Sequence, residues 1–205
     1  MAKYYKLGLI LIFAEHLHYK LKDLKKIIAG CASGNIRAQE TLYHKFAPTM
    51  FGVCLRYAKD KSEAEDSLQE GFIKVFQNIG NFRHEGSFEG WMRRIMVNVS
   101  LEKYRKEQLM YPVEDMTVLE GQQISDDILA DISARELMEL IQQLPPRYRM
   151  VFNLYVMEGM NHKEISEEMK ISEGTSKSNL ARARDILKRK VKELYREVGK
   201  SNTTA

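Results

Sequence analysis

Apolar residues in this 205-residue chain recur every three to four positions, and nowhere do they alternate with period two over a useful length. That rhythm builds helices with one buried stripe, so the chain is expected to be all-α. It fails once, from Gln108 to about Asp131, where Pro112, Gly121 and a run of acids stand. Two helical domains joined by a flexible acidic linker follow from this. The expected division is an N-terminal extension at 1–19, a first domain at 20–107, the linker at 108–131, a second domain at 132–197 and a tail at 198–205. Fully extended at roughly 3.3–3.6 Å per residue, the linker reaches up to about 80 Å, so the halves can act at distant places.

Charge follows the same division. The net charge is +4, but residues 1–107 carry a net +6, residues 108–136 a net −6 and residues 137–205 a net +4. Two basic blocks flank an acidic strap, a pattern that suits two modules touching a polyanion. With 44% hydrophobic residues both blocks can bury cores. Two cysteines, Cys31 and Cys54, exclude a disulfide scaffold and a four-cysteine zinc site, and read as reduced cytosolic thiols. The five histidines, His84 among them, show no metal-ligand spacing. No metal, cofactor, P-loop or nucleophile triad is expected, and no catalytic residues; the chain reads as a non-enzyme.

Near the N-terminus, Leu7 to Ala14 is an apolar run of eight behind Lys3 and Lys6. A membrane span needs about 20 residues. A signal peptide needs a small-x-small cleavage site that Glu15 to Lys20 does not offer. The run reads as a helical extension or an upstream start codon, and the protein as cytoplasmic and not membrane-embedded.

Local signals place the helices. Leu21, Leu24, Ile27, Ile28 and Cys31 form one face, bounded by Gly30 and Gly34. A second helix from Asn35 carries Ala38, Leu42 and Phe46, and Pro48 either interrupts it or opens a continuation through Tyr57. Ser62 and Glu65 have capping-box spacing before a stripe of Leu68, Phe72, Val75, Phe76 and Ile79, which leaves Asp66, Gln69, Glu70, Lys74 and Gln77 outside. A loop at 81–90 precedes a helix from Trp91 to about Lys106, with Met92, Ile95, Met96 and Val99 on one side and Arg94, Asn98, Glu102 and Arg105 on the other. In the second half, Ser133 with Glu136 and Asn161 with Glu164 make capping boxes, and Pro145-Pro146 stops a helix.

The last helices have helix-turn-helix proportions. A short helix at Lys163–Met169 is followed by a tight turn at Lys170–Ser172 and a polar helix opening at Glu173. In that geometry the N-terminal residues of the second helix meet base edges in the major groove. Ser172, Thr175, Ser176, Lys177, Asn179, Arg182 and Arg184 supply hydroxyls and amides for bases and cations for phosphates.

Here a family resemblance enters. Gln143 to Phe152, Met157-Glu-Gly159, Lys163-Glu-Ile165, Ile171 to Ser178 and Arg182-Ala-Arg184 resemble the C-terminal domain of extracytoplasmic-function sigma factors of RNA polymerase, the domain that reads the promoter −35 element. Glu63 to Phe76 resembles the core-polymerase-binding helix of the same family, and Phe82, Phe88, Trp91 to Ile95, and Asn98 with Glu102, Arg105 and Lys106 continue the match. The chain departs from the family pattern at Ser176, where an aliphatic residue is usual, at Asn179, often arginine, and at Glu102, usually aspartate.

The resemblance implies that Asp66, Gln69, Glu70 and Lys74 meet the β′ clamp helices of core polymerase, with the β flap as a second contact. It implies that the 81–90 loop captures an unstacked −10 base and that the following helix meets neighbouring nucleotides, through Asn81, Phe82, Arg83, His84, Arg94, Asn98, Glu102, Arg105 and Lys106. Amide and aromatic walls with cations are the residue types that single-strand capture wants. Phe88 and Trp91 read as core. Promoter DNA and an anti-sigma factor are the further implied partners. The competing readings are a dimeric helix-turn-helix regulator that works without polymerase, and an enzyme with an appended DNA-binding domain.

Overall fold

The structure, a computed structural model, describes residues 23–110 and 133–201. The extension at 1–19, nearly all of the linker and the end of the tail lie outside the described residues. Among those described, no strand forms, and the elements are α1 (23–32), α2 (Ile36–Tyr57), α3 (Lys61–Asn78), a 3-10 turn (Ile79–Asn81), α4 (Phe88–Met110), α5 (Ala134–Gln142), α6 (Pro146–Val156), α7 (His162–Met169) and α8 (Glu173–Ser201). The all-α expectation holds.

Helix ends follow from side-chain chemistry. Gly34, at φ +78°, closes α1 with its N–H on the Cys31 carbonyl, and the Asn35 N–H reaches back to the Gly30 carbonyl. Asn35 then caps α2. The capping boxes at Ser133/Glu136 and Asn161/Glu164 form as expected. The one expected at Ser62/Glu65 does not: Asp60 is the N-cap of α3, its Oδ1 accepting from the Glu63 N–H at 2.9 Å while Glu63 Oε2 accepts from the Lys59 N–H at 2.6 Å. The cap falls two residues earlier, on the equally well-spaced Asp60 and Glu63, but it is not a reciprocal box, because Glu63 reaches past Asp60 to the Lys59 N–H. Pro48 sits inside an unbroken α2. The helix expected to begin at Trp91 begins at Phe88, with Ser87 Oγ accepting from the Gly90 N–H, and runs on to Met110.

In the N-terminal group, α2, α3 and α4 pack around Leu42, Met50, Val53, Phe72, Val75, Met92, Met96 and Leu101. Gly71 lets α3 and α4 approach closely: a Cβ there would overlap Met96 Sδ. In the C-terminal group, α5 to α8 enclose Ile141, Leu144, Val151, Leu154, Ile165, Leu180, Ala183 and Leu187. No described helix is long and apolar enough to cross a membrane.

Candidate polymerase and nucleic-acid surfaces

Burial of Leu68, Phe72 and Val75 turns the opposite side of α3 outward. Asp66 and Gln69 are exposed there, and Glu70 and Lys74 are half-buried. Positions 66, 69, 70, 73, 74 and 77 follow helical spacing, so they share one face. Ile73 stands among these polar groups with 57% of its surface exposed. An exposed branched aliphatic inside a polar row gains nothing from folding, and sequence reasoning passed over it. Lys74 Nζ reaches Glu102 Oε2 of α4 at 2.6 Å and Glu70 Oε1 at 3.8 Å. Lys103 Nζ lies 3.9 Å from Glu70 Oε2 and donates to Ser67 Oγ at 3.1 Å. Two of the candidate polymerase residues are thereby tied to α4, the candidate strand-binding helix. A shallow, strongly charged groove of about 440 Å³ runs beside Asp66, between the start of α3 and the Lys103–Glu107 stretch of α4.

The 81–90 loop rests on an aromatic base. Phe88 is 4% exposed and stacks on Trp91 with ring centroids 5.4 Å apart, and half-buried Phe82 meets Phe88 edge-on at 5.1 Å. Phe88 and Trp91 are therefore packing residues, as expected. Asn81, Arg83 and His84 are exposed above them, with His84 at φ +59° and its ring 4.8 Å from Phe82. Along α4, Arg94, Asn98 and Lys106 are exposed, whereas Glu102 and Arg105 are half-buried and already engaged. Glu102 holds Lys74, and Arg105 lies 3.7 Å from Glu168.

On α8 the helical register sorts the candidate base readers. Ser176 is fully buried and Asn179 is 3% exposed, on the same side as Leu180, Ala183 and Leu187. Both were expected at base edges. At 100° per residue they point into the core instead, so neither side chain is presented to DNA. The Ser176 hydroxyl lies 3.0 Å from His162 Nδ1, a polar partner at a position where the family usually has an aliphatic. Ser172 is exposed, and its Oγ caps α8 by accepting from the Thr175 N–H at 3.0 Å. Thr175, Lys177 and Arg184 are exposed, the last with its guanidinium 5.6 Å above the Tyr155 ring. Arg182 is half-buried and donates to the Tyr148 hydroxyl at 3.3 Å. Ser178 shares the outward side with Lys177 and was missed; counting 100° steps back from the buried Leu180 would have found it.

Comparison with known proteins gives the family of both halves. Residues 42–109 match Sigma-70 region 2, and residues 134–187 match Sigma-70 region 4. The chain belongs to the extracytoplasmic-function sigma factors. It is 29% identical to the RNA polymerase sigma-H factor of Pseudomonas aeruginosa over 185 residues, covering 84% of this chain and 96% of that one. It is 29% identical to the ECF RNA polymerase sigma factor SigW of Bacillus subtilis over 183 residues, covering 83% and 98%. Among solved structures, the sigma factor RpoE of Bartonella quintana, in complex with the anti-sigma factor NepR, matches with a TM-score of 0.46 and 18% identity over 75% of this chain and 96% of that chain. This sigma factor directs RNA polymerase to promoters and serves transcription initiation.

The two halves of the sigma factor also touch. Arg93 on α4 donates from Nε to Glu158 Oε2 at 2.8 Å, and from Nη2 to Glu158 Oε1 at 2.9 Å and to the Met157 carbonyl at 3.0 Å. The Tyr57 hydroxyl reaches Glu158 Oε1 at 3.3 Å. The hydrogen bond to Glu158 raises the Arg93 pKa, outweighing partial burial, and keeps the guanidinium charged. Burial first, and Glu158 second, push the Tyr57 phenol up. The amides of Gln142 and Asn153 donate to the Leu55 and Arg56 carbonyls at 3.1 and 2.7 Å, filling acceptors that the end of α2 leaves open. Arg149, 4% exposed, donates to the Gln142 carbonyl at 2.7 Å. Burial lowers its pKa, against the pull of Glu63 and Glu107 in the N-terminal half. Its Nε and Asn153 Oδ1 are buried and find no partner among the described protein atoms.

Proposed function

We propose that the sigma factor docks on core polymerase through the outward face of α3, with Asp66, Gln69, Glu70 and Lys74 meeting the β′ clamp helices and Ile73 as their apolar centre. The proposed modules are residues 20–107 and 132–197, with 108–131 as the strap between them. The observation that carries the reading is the α3 face itself: a large exposed aliphatic flanked by exposed Asp66 and Gln69 on a helix whose other side is fully packed. Interfaces concentrate their affinity in such apolar anchors ringed by polar groups.

The exposed loop residues Asn81, Arg83 and His84, with Phe82 beneath, would hold an extruded −10 base, and Arg94, Asn98 and Lys106 would follow the strand. Capture of an extruded base must offset a few kcal/mol of unstacking. Thr175, Lys177, Ser178 and Arg184 would face the −35 duplex, with Ser172 holding the start of α8. No chemical step is needed, since preferential binding to the open strand shifts the equilibrium on its own. The sigma factor is thus a binding subunit rather than an enzyme, it works in the cytoplasm beside polymerase, the β flap is a second contact, and an anti-sigma factor would control it.

The test replaces Asp66, Gln69 and Ile73 together with alanine and measures association with core polymerase. Expected is loss of association with an unchanged helical circular dichroism spectrum. Unchanged association would remove α3 as the docking helix.

A further inference from the structure

We infer that His162, the first residue of α7, contacts the phosphate backbone of the −35 duplex and makes promoter binding by this sigma factor depend on pH. The inference rests on the reading of α7 and α8 as the −35 helix-turn-helix, and adds to it a residue outside the proposed set.

The His162 ring is held on two sides. Its Nδ1 lies 3.0 Å from the hydroxyl of Ser176, which is fully buried on α8. Its face stacks on Tyr155 of α6, with centroids 4.9 Å apart and planes 27° from parallel. The side chain is nevertheless only half-buried. Nε2 meets no hydrogen-bond partner among the described residues, and it is not sealed from solvent. With Nδ1 and one face turned inward, the edge that carries Nε2 is the one left outside.

A hydroxyl partner accommodates both charge states of the ring. To a neutral imidazole Ser176 donates at Nδ1, which puts the ring proton on Nε2; from an imidazolium it accepts the Nδ1 proton. In both states Nε2–H is a free donor, and in the second it also carries charge. An aliphatic side chain, usual at 176 in the family, offers Nδ1 nothing. Ser176 and His162 thus act as one unit, a buried hydroxyl aiming a ring whose outer nitrogen is unengaged.

The surroundings suit a phosphate. The first helix of a helix-turn-helix crosses the DNA backbone, and His162 opens that helix here. Arg184, a proposed −35 residue, lies 5.6 Å from the centre of the same Tyr155 ring, so both groups share one aromatic platform. Two neighbouring carboxylates are engaged: Glu164 accepts from the Asn161 N–H at 2.8 Å, and Glu158 accepts from Arg93. Glu173 is exposed one turn before Ser176, against the cations Lys163, Lys177 and Arg184. A phosphate oxygen at Nε2 favours the imidazolium over the neutral ring, so binding takes up a proton. Affinity therefore rises as pH falls through the range in which histidine titrates, about pH 8 to about pH 5.

The experiment uses holoenzyme and a labelled duplex that carries the −35 element and stops short of the −10 element. Fluorescence anisotropy at fixed salt gives the affinity of wild type and of His162→Gln, which keeps an amide near the place of Nε2 and cannot be charged. The ratio of the two affinities cancels every other titrating group. It should rise roughly three- to tenfold between about pH 8 and about pH 6, with a salt slope steeper in wild type by up to about one counterion at the lower pH. His44→Gln, which removes an exposed histidine of α2, should keep the wild-type profile. If circular dichroism shows that His162→Gln does not fold, His162→Asn, whose amide can meet Ser176, gives the same ratio. A ratio that does not change with pH overturns the inference, as does a His44→Gln profile that matches His162→Gln. Lys177→Ala on the same duplex separates the two readings. Unchanged affinity there removes α8 as the −35 helix, whereas weakened affinity beside a pH-independent ratio removes His162 alone.

Discussion

Lys74 Nζ and Glu102 Oε2 lie 2.6 Å apart and join α3, the proposed polymerase-docking helix, to α4, the proposed strand-binding helix. The two residues stand 28 positions apart in the chain, and their family roles point to different partners. In the folded protein they serve each other first. Because Lys74 and Glu102 are 32% and 45% exposed, the pair contributes no more than about 1 kcal/mol. A double-mutant cycle with Lys74→Ala and Glu102→Ala should return a coupling energy within that bound in urea unfolding. A coupling above about 2 kcal/mol would mean that the pair is far better shielded from water than the structure indicates.

Gly71 tests the close approach of the same two helices. An added methyl would overlap Met96 Sδ, and Met96 is fully buried. Gly71→Ala should destabilise the chain by about 1–3 kcal/mol despite the better helix propensity of alanine. Equilibrium unfolding measures it, and a neutral or stabilising result would contradict the packing described.

Ser176 and Lys177 are neighbours, the first buried and the second exposed. Ser176→Ala removes the partner of His162 Nδ1 and should cost about 1 kcal/mol of stability while leaving promoter preference unchanged. Lys177→Ala should leave stability alone, weaken −35 binding, and lower the salt dependence by about one counterion. Salt-titrated promoter binding by holoenzyme and thermal unfolding separate the two. A changed sequence preference in Ser176→Ala would return that residue to the DNA-facing set.

Alkaline pH should loosen the fold. Burial pushes the Cys54 thiol up to about 12, against the opposing pull of Lys103, and burial raises Tyr57 as well. In the unfolded chain these groups ionise near about 8.5 and about 10. Between those values and the folded ones the native state binds more protons, so their stabilisation is complete below about pH 8.5 and is lost as pH rises. Each ionising group can remove up to about 1.4 kcal/mol per pH unit. The urea midpoint should therefore fall between pH 8 and pH 11, and Cys54→Ala should make that fall shallower. An identical slope in wild type and variant would contradict the assignment to Cys54.

What was legible in the sequence had a local cause. The boxes at Ser133/Glu136 and Asn161/Glu164 are contained in four residues each, and the stripe of Leu68, Phe72 and Val75 needs only helical spacing. The start of α3 was ambiguous because Asp60/Glu63 and Ser62/Glu65 carry the same spacing two residues apart, and the earlier pair wins. Ser176 and Asn179 were misplaced because composition was read before register: small polar residues suit a groove, but their positions belong to the Leu180–Ala183–Leu187 side. Arg93, Glu158, Tyr57 and Asn153 meet across 65 to 101 residues, and nothing within either segment signals such a pairing.

The central claim is that the two helical halves act on one promoter as a subunit of polymerase. In vitro transcription from a promoter selected with this sigma factor, using bacterial core enzyme with and without the purified chain, tests it most directly. The account predicts specific initiation that requires the chain, is lost in the Asp66, Gln69 and Ile73 alanine variant, and falls steeply with salt. Tight binding of promoter duplex by the chain alone, with no association with core and no initiation, would contradict it.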